Sequence, residues 1–253
     1  MAEEEKIRGY AKRALQALTD KTKKWKDRLK DFAWEVFIIL VAVNITLWFH
    51  SWSEKRHNRE IEKEFLIGTR EDLDPIKNDL NNDLNQILNP LVNYYDTINK
   101  QITEHRIDKA FADTNAKRLI AGQIFTYDDS RFESFKSSGY LRLIENPTLQ
   151  KNITALFTQL TNQTEWDKSF YDERRQNFTT YISTRLQMDS LIHISPLLNI
   201  PEVKYQMVLQ NSWANEIQRQ KQQLLQDINN VQNAIDKELK DRFNYQVPEK
   251  KSR

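Results

Sequence analysis

The sequence predicts an all-α fold, and three observations carry that expectation. Gly occurs only 4 times and Pro 6 times in 253 residues, where average usage would give roughly 18 Gly, so few positive-φ turns are available for a sheet-rich fold. Apolar residues recur at spacings of three and four along polar stretches rich in Asn, Gln, Lys, Asp and Glu. One stretch, Phe32 to Trp52, is apolar enough to live in oil, in a chain whose mean hydropathy is -0.76. The expected architecture is an N-terminal amphipathic helix, one transmembrane helix continuing into a stalk, and a long-helix bundle with a coiled-coil hairpin.

Residues 1–31 are expected to form an amphipathic basic helix. Ile7, Ala11, Leu15, Leu18, Trp25 and Leu29 share one face, and Lys and Arg fill the other. Such a helix suits the inner leaflet of a membrane, and it equally suits a copy of itself or a partner subunit.

Residues 32–52 are expected to cross the bilayer. At about 1.5 Å of rise per residue the 21 positions reach across a hydrocarbon core of about 30 Å. Trp34 near one end and Trp48 with Trp52 near the other sit where an aromatic belt meets the headgroups. A buried core helix of a soluble protein is the bland alternative. Glu35, Asn44 and Thr46 interrupt the apolar run. A carboxylate at such a place is a candidate for proton uptake, pore lining or subunit pairing, or it reaches water and only sets the depth of the helix. The run is followed by Trp and charge instead of small residues, which predicts a retained anchor.

Orientation follows from flanking basic residues. Residues 12–31 carry eight Lys and Arg and residues 53–72 carry five, which places the N-terminus in the cytoplasm and the larger part in the periplasm. Residues 53–253 hold 28 Lys and Arg against 29 Asp and Glu, and that weakly acidic body argues against a nucleic-acid partner. The absence of Cys excludes disulfides, thiolate metal sites and a Cys nucleophile.

Residues 53–73 continue the helix as a stalk, and Asp74–Pro75 reads as a cap and first helical residue opening a domain over 74–243. Pro90 should kink the first helix of that domain. Two short helices fit near 108–123 and 129–138, the second ended by Gly139. Asn146–Pro147 opens a helix running to about Ile192 that buries Leu149, Ile153, Leu156, Leu160, Trp166 and Phe170. The segment HISPLLNIP is a turn. The last helix begins at Pro201 and reaches about 243; from Trp213 its apolar positions Ile217, Leu224, Ile228, Val231, Ile235 and Leu239 approximate a heptad interrupted by Lys221. An internal hairpin is the economical expectation for that stripe, with self-association open. Residues 244–253 are expected to be a disordered tail.

The string WEVFIILVAVNITLWFHSWSEKRHNREIEKEFLIGTREDL resembles the opening of a family of uncharacterised single-span bacterial membrane proteins common in Bacteroidota, domain of unknown function family 6090. Glu35, Trp52, Glu54, Arg56, Phe65 with Leu66, and Glu71 to Leu73 occupy the matching places. A second block, FESFKSSGYLRLIENPTLQKNI, is similar to the family's serine and glycine turn followed by a helix entry, carried by Phe132, Ser137, Ser138, Gly139, Leu143, Ile144, Asn146 and Leu149. Trp34 and Trp48 stand where the family usually has Gly and Gln. The resemblance implies the single-span architecture and brings no activity with it.

No Gly-rich phosphate loop, GxSxG or HExxH is present. His50, Glu54 and His57 share a helical face at a spacing compatible with a metal, and at the mouth of a span such residues are ordinarily interfacial and hydrated. Neither a catalytic centre nor a cofactor is expected. The expected role is a scaffold or accessory subunit of an envelope complex, with the lipid bilayer and either copies of itself or other envelope membrane proteins as partners. An ion-conducting or proton-coupled oligomer using Glu35 and a periplasmic helical sensor are the alternatives.

Overall fold

The computed structural model describes residues 9, 12–13, 25–120, 122–180 and 193–246. Most of the expected basic helix, residues 181–192 and the tail 247–253 lie outside the described residues. Helix is the only regular structure among the described residues, so the chain is all-α. It divides into two compact units, Met1–Ile61 and Glu62–Arg253.

Helix α1 runs Trp25–Asp83 without interruption. Its first part is long and apolar enough to cross a membrane, and no residue of its most apolar 18-residue window is buried. Pro75, expected to start a new helix, lies inside α1. The buried stripe Phe65, Leu66, Leu73, Ile76 and Leu80 continues through it, and that burial outweighs the one backbone hydrogen bond a proline removes. Asp74 does not cap; it accepts from Arg70 and from Gln232.

The helical run continues through a π-turn, Leu84–Leu88, into α2, Asn89–Thr103. Pro90, expected to kink the helix, follows directly on this π-turn, so the departure from regular α-helix lies in the turn before it. Helix α3, Lys109–Asn115, is capped by Asp108 accepting from the Phe111 amide, and α4 spans Ser130–Ser137. Residues 122–129 between them are irregular, where the sequence suggested helix up to 123. Phe132 stacks on Phe157 and Phe135 on Phe65, so the short α4 is held by two aromatic pairs.

Helix α5, Pro147–Glu173, starts as expected at the Asn146 cap and passes into a second π-turn at Arg174–Thr179. Helix α6, Pro201–Phe243, packs against α5 and α2. Ile217, Leu224, Ile228, Val231, Ile235 and Leu239 are all buried, so the heptad stripe is spent within the chain. Trp166, expected in the core, is instead 54 % exposed. Its neighbours Gln163 and Asp167 take the inward positions on that turn.

Candidate functional site

Within the N-terminal unit the predicted residues lie on one exposed helix. Trp34, Trp48 and Trp52 are exposed, Trp34 stacking on Phe37 and Trp52 resting beside Phe49. Asn44 Nδ2 donates to the Leu40 carbonyl at 2.7 Å and Thr46 Oγ1 to the Ala42 carbonyl at 2.9 Å. Each side chain thus places one hydrogen bond on its own helix, which lowers part of the cost of setting it among lipid tails. Glu35 differs: its Oε2 atom is shielded from solvent and meets no hydrogen-bond donor among the described residues. Glu54 and Arg56 are exposed, as are His50 and His57. Among the described residues no group of three or more His, Cys, Asp or Glu is placed to hold a metal.

Three elements of the larger unit meet at Lys221. This residue falls on the apolar stripe of α6, yet its side chain is wholly buried. Burying an ammonium is tolerated only when it is paired. Nζ donates to Asp167 Oδ2 of α5 at 2.6 Å and to Asp83 Oδ2 at the end of α1. Asp167 also accepts from Gln163 Nε2 at 2.8 Å and from the Phe125 amide at 3.1 Å. That last bond pins the irregular segment 122–129 across the pair, with the Phe125 ring centroid 5.9 Å from Nζ.

Two carboxylates thus share one buried cation. Burial pushes the Asp83 carboxyl above its ordinary range against the pull of Lys221, and the nearby Asp167 charge works in the same direction as burial. Asp83 is also the member that reaches solvent. It lines a mixed cleft of about 340 Å³ formed by Asp79, Asn82, Gln86 and Ile87 on one side and Gln123, Phe125 and Thr126 on the other. Burial likewise raises the Tyr171 phenol, with Asp83 and Asp167 adding to the shift.

A second polar knot holds the start of the larger unit. Buried Glu62 accepts from both Arg242 Nη atoms, at 2.7 and 3.0 Å, and from the Glu145 amide at 3.0 Å. Arg242 also reaches Glu238 and Glu145, and the Glu62 hydrogen bond in particular raises its pKa. Asn146 joins this knot: Oδ1 accepts from the Thr148 and Leu149 amides while Nδ2 donates to Glu238 Oε2 at 2.7 Å. Ser138 Oγ donates to the Ser134 carbonyl, and Gly139 takes φ 71°, a left-handed conformation that glycine adopts without strain. Ser138, Gly139 and Asn146 therefore act in chain folding at the ends of α4 and α5, while Glu35, Asn44, Glu54 and Arg56 lie in the other unit.

Sequence reasoning missed the Lys221, Asp167 and Asp83 cluster. Its signal was present as the lysine that interrupts the heptad. What the sequence did not supply was which acidic residues of α1 and α5 stand opposite. No family model, no curated protein and no solved structure matches the chain.

Proposed function

We propose that this chain is a non-catalytic, single-span inner-membrane protein of the kind its two sequence blocks resemble. Its N-terminus is cytoplasmic, and its helical unit serves in the periplasm as a scaffold or accessory subunit of an envelope complex. The observation that carries the proposal is the apolar part of α1, which lies outside the protein core over its whole most apolar window. An apolar face of that size needs lipid or protein to cover it. The intrahelical bonds of Asn44 and Thr46 reduce the cost of lipid around those two positions.

The chain has no Cys, which makes labelling direct. Single variants Lys30→Cys and Gln222→Cys are expressed separately and treated in intact cells with a thiol reagent that does not cross the inner membrane. Labelling at position 222 but not at 30 is expected. Labelling at position 30 but not at 222 overturns the orientation, and extraction of the protein by alkaline carbonate overturns the span.

Among the described residues Glu35 Oε2 has no partner, which favours a second reading, in which copies of the span associate around that carboxyl. Glu35→Gln then changes proton or ion flux through reconstituted vesicles at unchanged oligomeric mass. Equal flux for the two proteins eliminates it.

A further inference from the structure

A groove of about 290 Å³ runs between α5 and α6 on the surface of the larger unit. Gln159, Asn162, Gln163 and Trp166 line one wall at helical spacings of three and four, and Gln220 and Gln223 line the other. The size falls just below the roughly 300–1,000 Å³ typical of small-molecule sites and is enough for one ring. Trp166 presents an indole that is 54 % exposed, although its position falls on the apolar periodicity of α5.

The carboxamides are oriented by carboxylates. Gln163 Nε2 donates to Asp167 Oδ1 at 2.8 Å, Gln220 Nε2 to Glu216 Oε1 at 2.8 Å, and Gln223 Nε2 to Asp227 Oδ1 at 3.1 Å. An ionised carboxylate only accepts, so each amide turns its NH₂ group toward the acid and its oxygen away. Among the described residues no group donates to these three Oε1 atoms. Gln163 is also buried, and Asp167 ties it to Lys221, so its orientation is set before any ligand arrives.

The ligand that matches these features has an apolar ring face and several outward donors. An anion fits poorly: Arg219 is the cation of the groove, and it is held by Glu216 at 2.6 and 3.0 Å, with Asp227 adding negative charge. The five carboxamide side chains along the two walls favour a hydroxylated ligand over a purely apolar one. A pyranose fits. Its C–H face packs on an indole, and its hydroxyl or acetamido N–H groups donate to amide oxygens. We infer that this groove binds a neutral saccharide, one ring stacked on Trp166 and its hydroxyls hydrogen-bonded to the carboxamides that line the walls. The inference stands independently of whether the chain crosses a membrane.

The test uses the full chain in an amine-oxide detergent, because sugar-headed detergents would compete. Tetramers of N-acetylglucosamine and of glucose are titrated in by calorimetry. Binding of either is expected, and Trp166→Ala should weaken it about tenfold or more, with a smaller loss for Gln223→Ala. Trp213→Ala removes another exposed indole of α6, one that does not line the groove, and should leave binding unchanged. Absence of binding for both sugars at millimolar concentration overturns the inference. So does binding that Trp166→Ala leaves intact or that Trp213→Ala removes.

Discussion

Lys221 Nζ lies 2.6 Å from Asp167 Oδ2, and neither side chain is exposed to solvent. Removing the cation leaves Asp167 and Asp83 facing each other without a counter-charge. Lys221→Met should therefore destabilise the protein by about 3–5 kcal/mol. Asp83→Asn should cost clearly less, since the Asp83 side chain is 11 % exposed and keeps water within reach. Replacing all three residues by apolar ones should recover much of the loss, because a buried ionic cluster often contributes little net stability. Denaturant unfolding of the solubilised chain orders the variants; Lys221→Met at wild-type stability would show that the cation is not needed.

The pH dependence of stability should carry two components of opposite sign. The Asp83 pKa is raised by burial, so the folded chain holds that proton more tightly than the unfolded chain. Its contribution is present below the ordinary Asp value and is lost as pH rises through the raised folded value. Asp113 behaves in the opposite way. Burial opposes its ionisation, but the Ser195 amide at 2.8 Å, the Ser195 hydroxyl at 3.0 Å and His193 outweigh burial, and its pKa is lowered. That contribution is present above the ordinary value and is lost as pH falls through the lowered one. Unfolding free energy measured against pH should lose its alkaline-going decline in Asp83→Asn and part of its acid-side decline in Asp113→Asn. Identical profiles for both variants and the parent protein would contradict this assignment.

The physics that made parts of this fold legible is local. Asn146–Pro147 and Pro201 mark helix starts because a proline at the first turn gives up no hydrogen bond, and both starts lie where the sequence puts them. The long apolar helix is legible from composition alone. Pro75 was misleading because the burial of Leu73, Ile76 and Leu80 is a tertiary effect that a local cap signal cannot report. Trp166 failed for a related reason: its spacing is that of a core residue, but the turn it shares places Asp167 inward to meet Lys221. The buried ion cluster depends on pairings across 54 and 138 positions of sequence, which no periodicity encodes.

Gly122 and Gly68 should respond differently to alanine. A Cβ at Gly122 would lie 2.1 Å from Tyr171 Cε1 and 2.7 Å from Arg174 Nη2, against a ring fixed in the bundle. Gly122→Ala should cost about 1–3 kcal/mol, as overpacking does. A Cβ at Gly68 would meet the Arg131 guanidinium at 2.2 Å, the far end of a flexible side chain that is 47 % exposed and pairs with Asp72. Gly68→Ala should fall near neutrality, because a gain of about 1 kcal/mol in helix propensity offsets an exposed ion pair worth about 0–1 kcal/mol. Thermal unfolding of the two variants side by side decides it. Equal losses would mean that the Tyr171 ring yields as easily as Arg131.

Asn146 is required both to accept and to donate. Its Oδ1 caps α5 through the Thr148 and Leu149 amides, and its Nδ2 donates to Glu238 Oε2 at 2.7 Å, whose other oxygen accepts from Arg242 at 2.8 Å. Asn146→Ala should cost about 1–2 kcal/mol by removing the cap. Asn146→Asp keeps an equally good cap but loses the donor, and it brings a second carboxylate against Glu238. That variant should be less stable than the parent at neutral pH and should recover toward it as acid protonates one of the two carboxyls. Unfolding free energies of the parent and both variants at neutral and mildly acid pH separate the two roles. If Asn146→Asp matches the parent at neutral pH, the Glu238 contact contributes nothing and Asn146 acts through its cap alone.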